Sequence, residues 1–155
     1  MDPMNTAVLA QNLELIKLLL KKNENIEIKD KSGRTPFLNA VINDNLPIVK
    51  ILIDYRANIN VQDKLGYSAL HYSSQNHSNE MTIFLIEKGS VIDVVDAHGN
   101  TPLGRAVFSS RGRGEIIQLL LSAGADKEKK NNHGVSPMDL ANSIANYNVK
   151  KFLDN

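Results

Sequence analysis

An all-α solenoid of helix-turn-helix units, with three full repeats between a partial N-terminal and a partial C-terminal capping repeat, is the fold this sequence predicts. Three observations carry it. Residues recur at an offset of 33 when their numbers are subtracted: Asp30, Gly33, Thr35, Pro36 and Ala40 match Asp63, Gly66, Ser68, Ala69 and Ser73. Each unit holds two short stretches whose apolar residues fall three and four apart, the spacing of one buried helical face. In the four later units the first stretch opens on Ser or Thr, and all but the Ser68 stretch continue with Pro, as capped helices do. A period in the low thirties with two helices per unit is a solenoid signature.

The units are expected at about 1–29, 30–62, 63–95, 96–130 and 131–155, together one domain. The first lacks the turn and begins directly with a helix, for which Asp2 and Pro3 form a cap and first-turn pair. Its outward positions are expected to be Gln11, Asn12, Glu14, Lys17 and Lys21. In later units Thr35, Ser68, Thr101 and Ser136 are placed as helix caps. Phe37, Ala40 and Val41, like Leu103, Ala106 and Val107, form the buried face of a first helix. The small residue at Ala40, Ser73, Ala106 and Ala141 lets neighbouring helices approach. Between the helices the chain reverses within a few residues, which favours a positive φ at Asp44, His77 and Gly112. The second helices are expected to carry the core through Leu15, Leu18 and Leu19; Ile48, Ile51 and Leu52; Met81, Phe84 and Leu85; Ile116, Leu119 and Leu120; and Val149, Phe152 and Leu153. The last unit, rich in Asn, Ser and Lys, reads as a polar closing cap.

The segments 30–37 and 96–103, of the form Asp-x-x-Gly-x-Thr-Pro-Phe/Leu, together with Ser68, Ala69, Leu70 and His71, resemble the ankyrin repeat family. The sequence departs from that pattern at Leu38, Gly104 and Asp139, where the family has the histidine kept here as His71, and at Ala69, where it has proline. These departures bear on turn hydrogen bonding and not on the architecture. The resemblance implies that His71 braces its turn, and that binding uses the turns and the outer side of the first helices.

Composition narrows the function. A formal net charge of +1 argues against nucleic acid as a partner, because phosphate binders usually carry a strongly basic patch. With no cysteine there is no disulfide framework, thiolate nucleophile or cysteine-ligated zinc. The opening residues, acidic at Asp2 and amphipathic afterwards, indicate neither a secretory leader nor a membrane span. A monomeric cytoplasmic protein without cofactor or metal is expected.

Candidate chemistry is sparse. His77 is read as a turn residue rather than a base. His98 and His133 sit on adjacent turns without a third ligand at metal-site spacing. The insertion Ser109–Gly114 places glycines and arginines before a helix start, a place where an anion can bind, but it lacks the Gly-Lys-Ser/Thr ending of a nucleotide loop. It is read as a lengthened surface loop. The expected function is therefore non-catalytic binding of another protein, through Arg34, Leu65, Tyr67, Tyr72, Asn76, His98, Asn100, Arg105 and Phe108. Aromatic residues and Arg dominate interface energetics, which places Leu65, Tyr67, Tyr72, Arg105 and Phe108 at the centre with Arg34 beside them. Tyr72 and Phe108 have a second reading, as fillers between repeats. A dedicated inhibitor or toxin-immunity protein covering a partner's active site, a fragment of a larger scaffold, and an anion-binding or enzymatic role for the 109–114 loop are the alternatives.

Overall fold

In a computed structural model that describes residues 2–154, the chain forms helices α1 (Pro3–Leu9), α2 (Leu13–Lys21), α3 (Pro36–Ile42), α4 (Leu46–Asp54), α5 (Ala69–Gln75), α6 (Asn79–Glu87), α7 (Pro102–Ser109), α8 (Glu115–Ser122) and α9 (Pro137–Ser143). A single 3-10 turn, Lys150–Phe152, ends the array where the last unit's second helix was expected. Met1 and Asn155, the expected ends of the outermost units, lie outside the described residues. The odd-numbered helices pack side by side in one layer; α1, α3, α5 and α7 each pack against the even-numbered helix that follows, and α9 against the closing 3-10 turn. No helix among the described residues is long and apolar enough to cross a membrane.

All the α-helices but α6 and α8 start where the sequence supplies a side-chain acceptor. Asp2 accepts from the Met4 and Asn5 amides, and Thr35, Ser68, Thr101 and Ser136 each accept from the amide three residues on. Where the family histidine is present, His71 returns a bond to the Ser68 amide and completes a capping box. Asp139 does the same for Ser136 with a carboxylate. Leu38 and Gly104 have no such group, and there the cap is one-sided. Between helices the chain reverses through positive φ at Gln11 (53°), Asp44 (53°), His77 (56°) and, in the lengthened unit, Arg111 (48°) and Gly112 (85°).

The core differs from the expected one by a helical phase. Ile48, Leu52, Met81, Leu85, Ile116, Leu120, Val149 and Leu153 are buried as expected. Ile51, Phe84, Leu119 and Phe152 are only half-buried, while Leu15 and Leu18 are 37% and 49% exposed. The fully covered positions are instead Ile16, Val49, Thr82 and Ile117, one residue after the first of each set. A second helix in a two-layer array is covered on one side only, so a face three residues wide cannot be wholly buried.

The third unit is unlike its neighbours inside. Ser73, Ser74 and Thr82 are fully covered where the second unit has Ala40, Val41 and Val49 and the fourth has Ala106, Val107 and Ile117. Thr82 donates to Ser73 Oγ at 3.0 Å, and Ser73 donates to the Leu70 carbonyl at 3.4 Å. Ser74 Oγ is buried with no hydrogen-bond partner. A hydroxyl in that state costs about 1–3 kcal/mol.

Candidate protein-binding surface

Each turn is built around one Asp or Asn side-chain oxygen. Asp30 Oδ1 accepts from the Ser32 and Arg34 amides at 2.8 and 3.0 Å; Asp63 Oδ1 accepts from Leu65 and Tyr67 at 2.9 and 3.0 Å. Asp96 Oδ1 takes His98 and Asn100 at 2.8 and 3.0 Å, and Asn131 Oδ1 serves His133 and Val135 in the same way. The second oxygen of each aspartate is taken by the residue nine positions on: Asn39 Nδ2 at 3.2 Å, Tyr72 Oη at 2.5 Å and Arg105 Nη2 at 2.6 Å. Each aspartate therefore ties its turn to the first helix of the same unit. Successive turn tips are joined as well, by Lys64 N–H to the Ser32 carbonyl, Ala97 N–H to Leu65 and Asn132 N–H to His98, at 2.9–3.0 Å.

Sequence reasoning used these aspartates as markers of the repeat and missed their bracing role, although the signal was present: a side-chain donor, Asn39, Tyr72 or Arg105, stands nine residues after each. Burial opposes ionisation of Asp96, but the Arg105 guanidinium and the Asn100 and His98 amides outweigh it and hold the carboxyl below its ordinary 3.8. Asp30 is lowered likewise, against burial, chiefly by the Arg34 amide and the Asn39 side chain.

The expected aromatic centre resolves into a packed layer. Tyr72 is only 8% exposed and its hydroxyl is committed to Asp63, so it is not available as an anchor. Burial, then the hydrogen bond to Asp63, pushes its pKa up to about 12, so it remains a phenol that donates. Tyr67 is half-buried, stacked on His71 at 5.4 Å and tilted against Tyr72 at 5.3 Å. Arg105 lies over Tyr67 at 4.8 Å and Arg34 over Tyr72 at 5.6 Å. The result is an Arg-Tyr-Tyr-Arg sequence of contacts bridging the second, third and fourth units. Arg34 Nε stands 3.6 Å from Asp63 Oδ2.

What this layer leaves open is Leu65 at a turn tip, 58% exposed, and Phe108 on the last turn of α7, 71% exposed. Leu65 stands on the turn before α5 and Phe108 on the last turn of the neighbouring α7, so they sit toward different ends of their helices. Phe108 borders a hollow of about 300 Å³ with Arg111, Ile144 and Tyr147. Asn76 and His98 are exposed, and Asn100 is half-buried with its side chain engaged by Asp96 and Asn131. A second hollow, of about 500 Å³, lies between α1 and the first turn, lined by Asp2, Asn5, Lys29, Asp30, Lys31 and Ser32.

The histidines are structural where they are buried. His71 Nδ1 accepts from the Ser68 amide at 3.1 Å, and its Nε2 lies 2.9 Å from the Asn100 carbonyl, to which it donates across the unit boundary. His77 Nε2 donates to the Ser109 carbonyl at 2.7 Å. His98 and His133 are exposed turn residues. The 109–114 insertion is not an open loop: Ser110 and Gly114 are buried, and a Cβ at Gly114 would stand 2.3 Å from the Phe152 ring. The helix it precedes starts with Glu115, a carboxylate where an anion would have to sit, which counts against the anion reading.

Burial lowers the His71 pKa below 6.5, despite the Asn100 carbonyl that raises it. The unfolded chain then binds more protons than the folded one below about pH 6.5, so stability falls as pH drops through that value toward the folded pKa. Urea unfolding between about pH 7.5 and 5 should show this loss, and His71→Gln should be less stable at pH 7.5 yet flatter across the window. An equal slope in both proteins would assign the dependence elsewhere, His77 being the next candidate, since burial lowers it too.

Comparisons with known proteins place this surface in context. A family model described as ankyrin repeats (3 copies) matches residues 1–63 and 40–131. The chain is 29% identical over 120 residues to tyrosine-protein kinase HTK16 of Hydra vulgaris, covering 56% of this chain and 16% of that protein. It is 39% identical over 61 residues to ankyrin repeat protein OPG189 of Variola virus, covering 36% of this chain and 11% of that protein. It is 27% identical over 142 residues to putative palmitoyltransferase ZDHHC13 of Danio rerio, covering 91% of this chain and 17% of that protein. The chain thus spans less than a fifth of the length of each of these relatives.

Proposed function

The chain belongs to the ankyrin repeat family, a general protein–protein interaction module, and from that premise we propose that it binds another protein through its turn tips and first-helix layer, as a monomer and without catalysis of its own. The observation that carries the reading is the exposure of Leu65 and Phe108 on a layer whose backbone is fixed by aspartate-centred turns. Apolar side chains held in water on a rigid frame lose little freedom on association, so a few of them support useful affinity. The whole-protein activities of the kinase and palmitoyltransferase relatives are not carried over, because the match covers only a small share of each. A chain with no cysteine is compatible with the cytoplasm, which is where we place it.

The test compares two faces. Leu65→Asp and Phe108→Asp alter exposed side chains, so thermal melting should stay close to that of the parent protein. Each should remove the proteins that the immobilised parent retains from its native source. Ile83→Asp, on an exposed position of α6 in the other layer, should leave them bound. Retention that survives both first changes and is lost with the third would move the binding surface to the second helices.

A further inference from the structure

Charge is divided between the two layers. The first helices α1, α3, α5 and α7 contain no Asp or Glu, and the one carboxylate of α9, Asp139, is bonded to the Ser136 amide and hydroxyl, whereas every one of α2, α4, α6 and α8 contains at least one. On the turns, Asp30, Asp63 and Asp96 have both oxygens occupied by the turn amides and by the donor nine residues on, and Asp63 and Asp96 are buried. The cations of the same layer point outward. Lys29, Lys31 and Lys64 are exposed and pair with no carboxylate among the described residues. Arg34 and Arg105 stand beside them, half-buried over Tyr72 and Tyr67.

We infer that the turn-tip face, from Lys31 across Lys64 to Leu65, takes an extended acidic segment of a partner protein with carboxylates at every third residue. The inference rests on the protein-binding reading above. It names the chemistry of the partner and not only the face. The spacing follows from the packing. Lys31 and Lys64 hold the same place in adjacent units, and the first helices of those units pack directly on each other. Packed helices stand about 8–10 Å apart. A polyproline II segment rises about 3.1 Å per residue with three residues per turn, so side chains three apart share one face at about 9 Å. A β-strand would put residues three apart on opposite faces. Leu65, next to Lys64 and exposed, offers apolar contact to the residues between the acids. Nucleic acid also presents regular anions, but a row of two unpaired lysines beside an exposed leucine, on a chain of net charge +1, fits a peptide better.

The probe is a fluorescein-labelled peptide of repeated Glu-Pro-Pro, about a dozen residues long, titrated with the full chain and followed by anisotropy. Binding should weaken as salt rises from about 50 to about 200 mM. Lys31→Glu combined with Lys64→Glu should weaken it by about tenfold or more, and Lys21→Glu with Lys50→Glu, on the other layer, should leave it unchanged. Equal binding of a Gln-Pro-Pro peptide, equal loss from both pairs of substitutions, displacement by a short single-stranded DNA, or no binding of the probe would each overturn the inference. The two readings separate in the capture experiment. If the Lys31→Glu, Lys64→Glu protein still retains what Leu65→Asp loses, the protein-binding function stands and the acidic-segment inference does not.

Discussion

Leu52→Ala should lower the stability of the chain by about 2–5 kcal/mol, read from urea unfolding with an unchanged slope. Leu52 is completely covered in α4, among Ile48, Val49 and the first-helix layer. Truncation removes its transfer energy and leaves a cavity that helices fixed on both sides cannot collapse around. In a linear array each unit leans only on its neighbours, so the damage reaches the adjoining units and the whole transition moves. Leu15→Ala, at an equally apolar place in α2 but 37% exposed, is the internal comparison and should cost less than about 1 kcal/mol. Similar losses at the two positions would mean that the covered and uncovered faces of the second helices are not as described.

Gly66→Ala is the other large effect. Gly66 has φ +76°, a conformation costing an alanine about 1–2 kcal/mol. Its added Cβ would also stand 2.7 Å from Ala97 N and 3.0 Å from the carbonyl carbon and Cα of Asp96. All of these are backbone atoms of the next unit, so relief requires lifting that turn and straining the bond from Ala97 N–H to the Leu65 carbonyl. A total loss of about 2–4 kcal/mol is expected. Gly124→Ala isolates the first contribution: its φ is +93°, but nothing lies within 4 Å of the added carbon. Chemical denaturation of the two variants in parallel decides the matter. Equal losses would show that the turn tips do not bear on one another.

The contrast between these glycines marks what a sequence can convey here. Short-range chemistry was fully legible: Thr35, Ser68, Thr101 and Ser136 cap because a side-chain oxygen reaches an amide three residues away whatever surrounds it. The period of the array was legible for the same reason, since each unit repeats its local pattern. Contacts between distant residues were not. Tyr72 looks like a free aromatic until Asp63 is seen to hold its hydroxyl, and Arg105 looks like a free cation until Asp96 is seen beneath it. The 109–114 segment resembles a surface insertion because nothing local foretells that Tyr147 and Phe152 fold over it. Helical periodicity also leaves the phase of a half-covered helix open by one residue, which exchanged Leu15 for Ile16 and Ile51 for Val49.

The hydroxyl-lined interior of the third unit sets what that unit adds to cohesion. Where its neighbours bury methyl groups, Ser73, Ser74 and Thr82 bury oxygens, so it gains less from apolar burial than the units beside it. In a linear array, whose stability is close to a sum of unit and interface contributions, that deficit falls in the middle of the chain and is shared by the units on both sides.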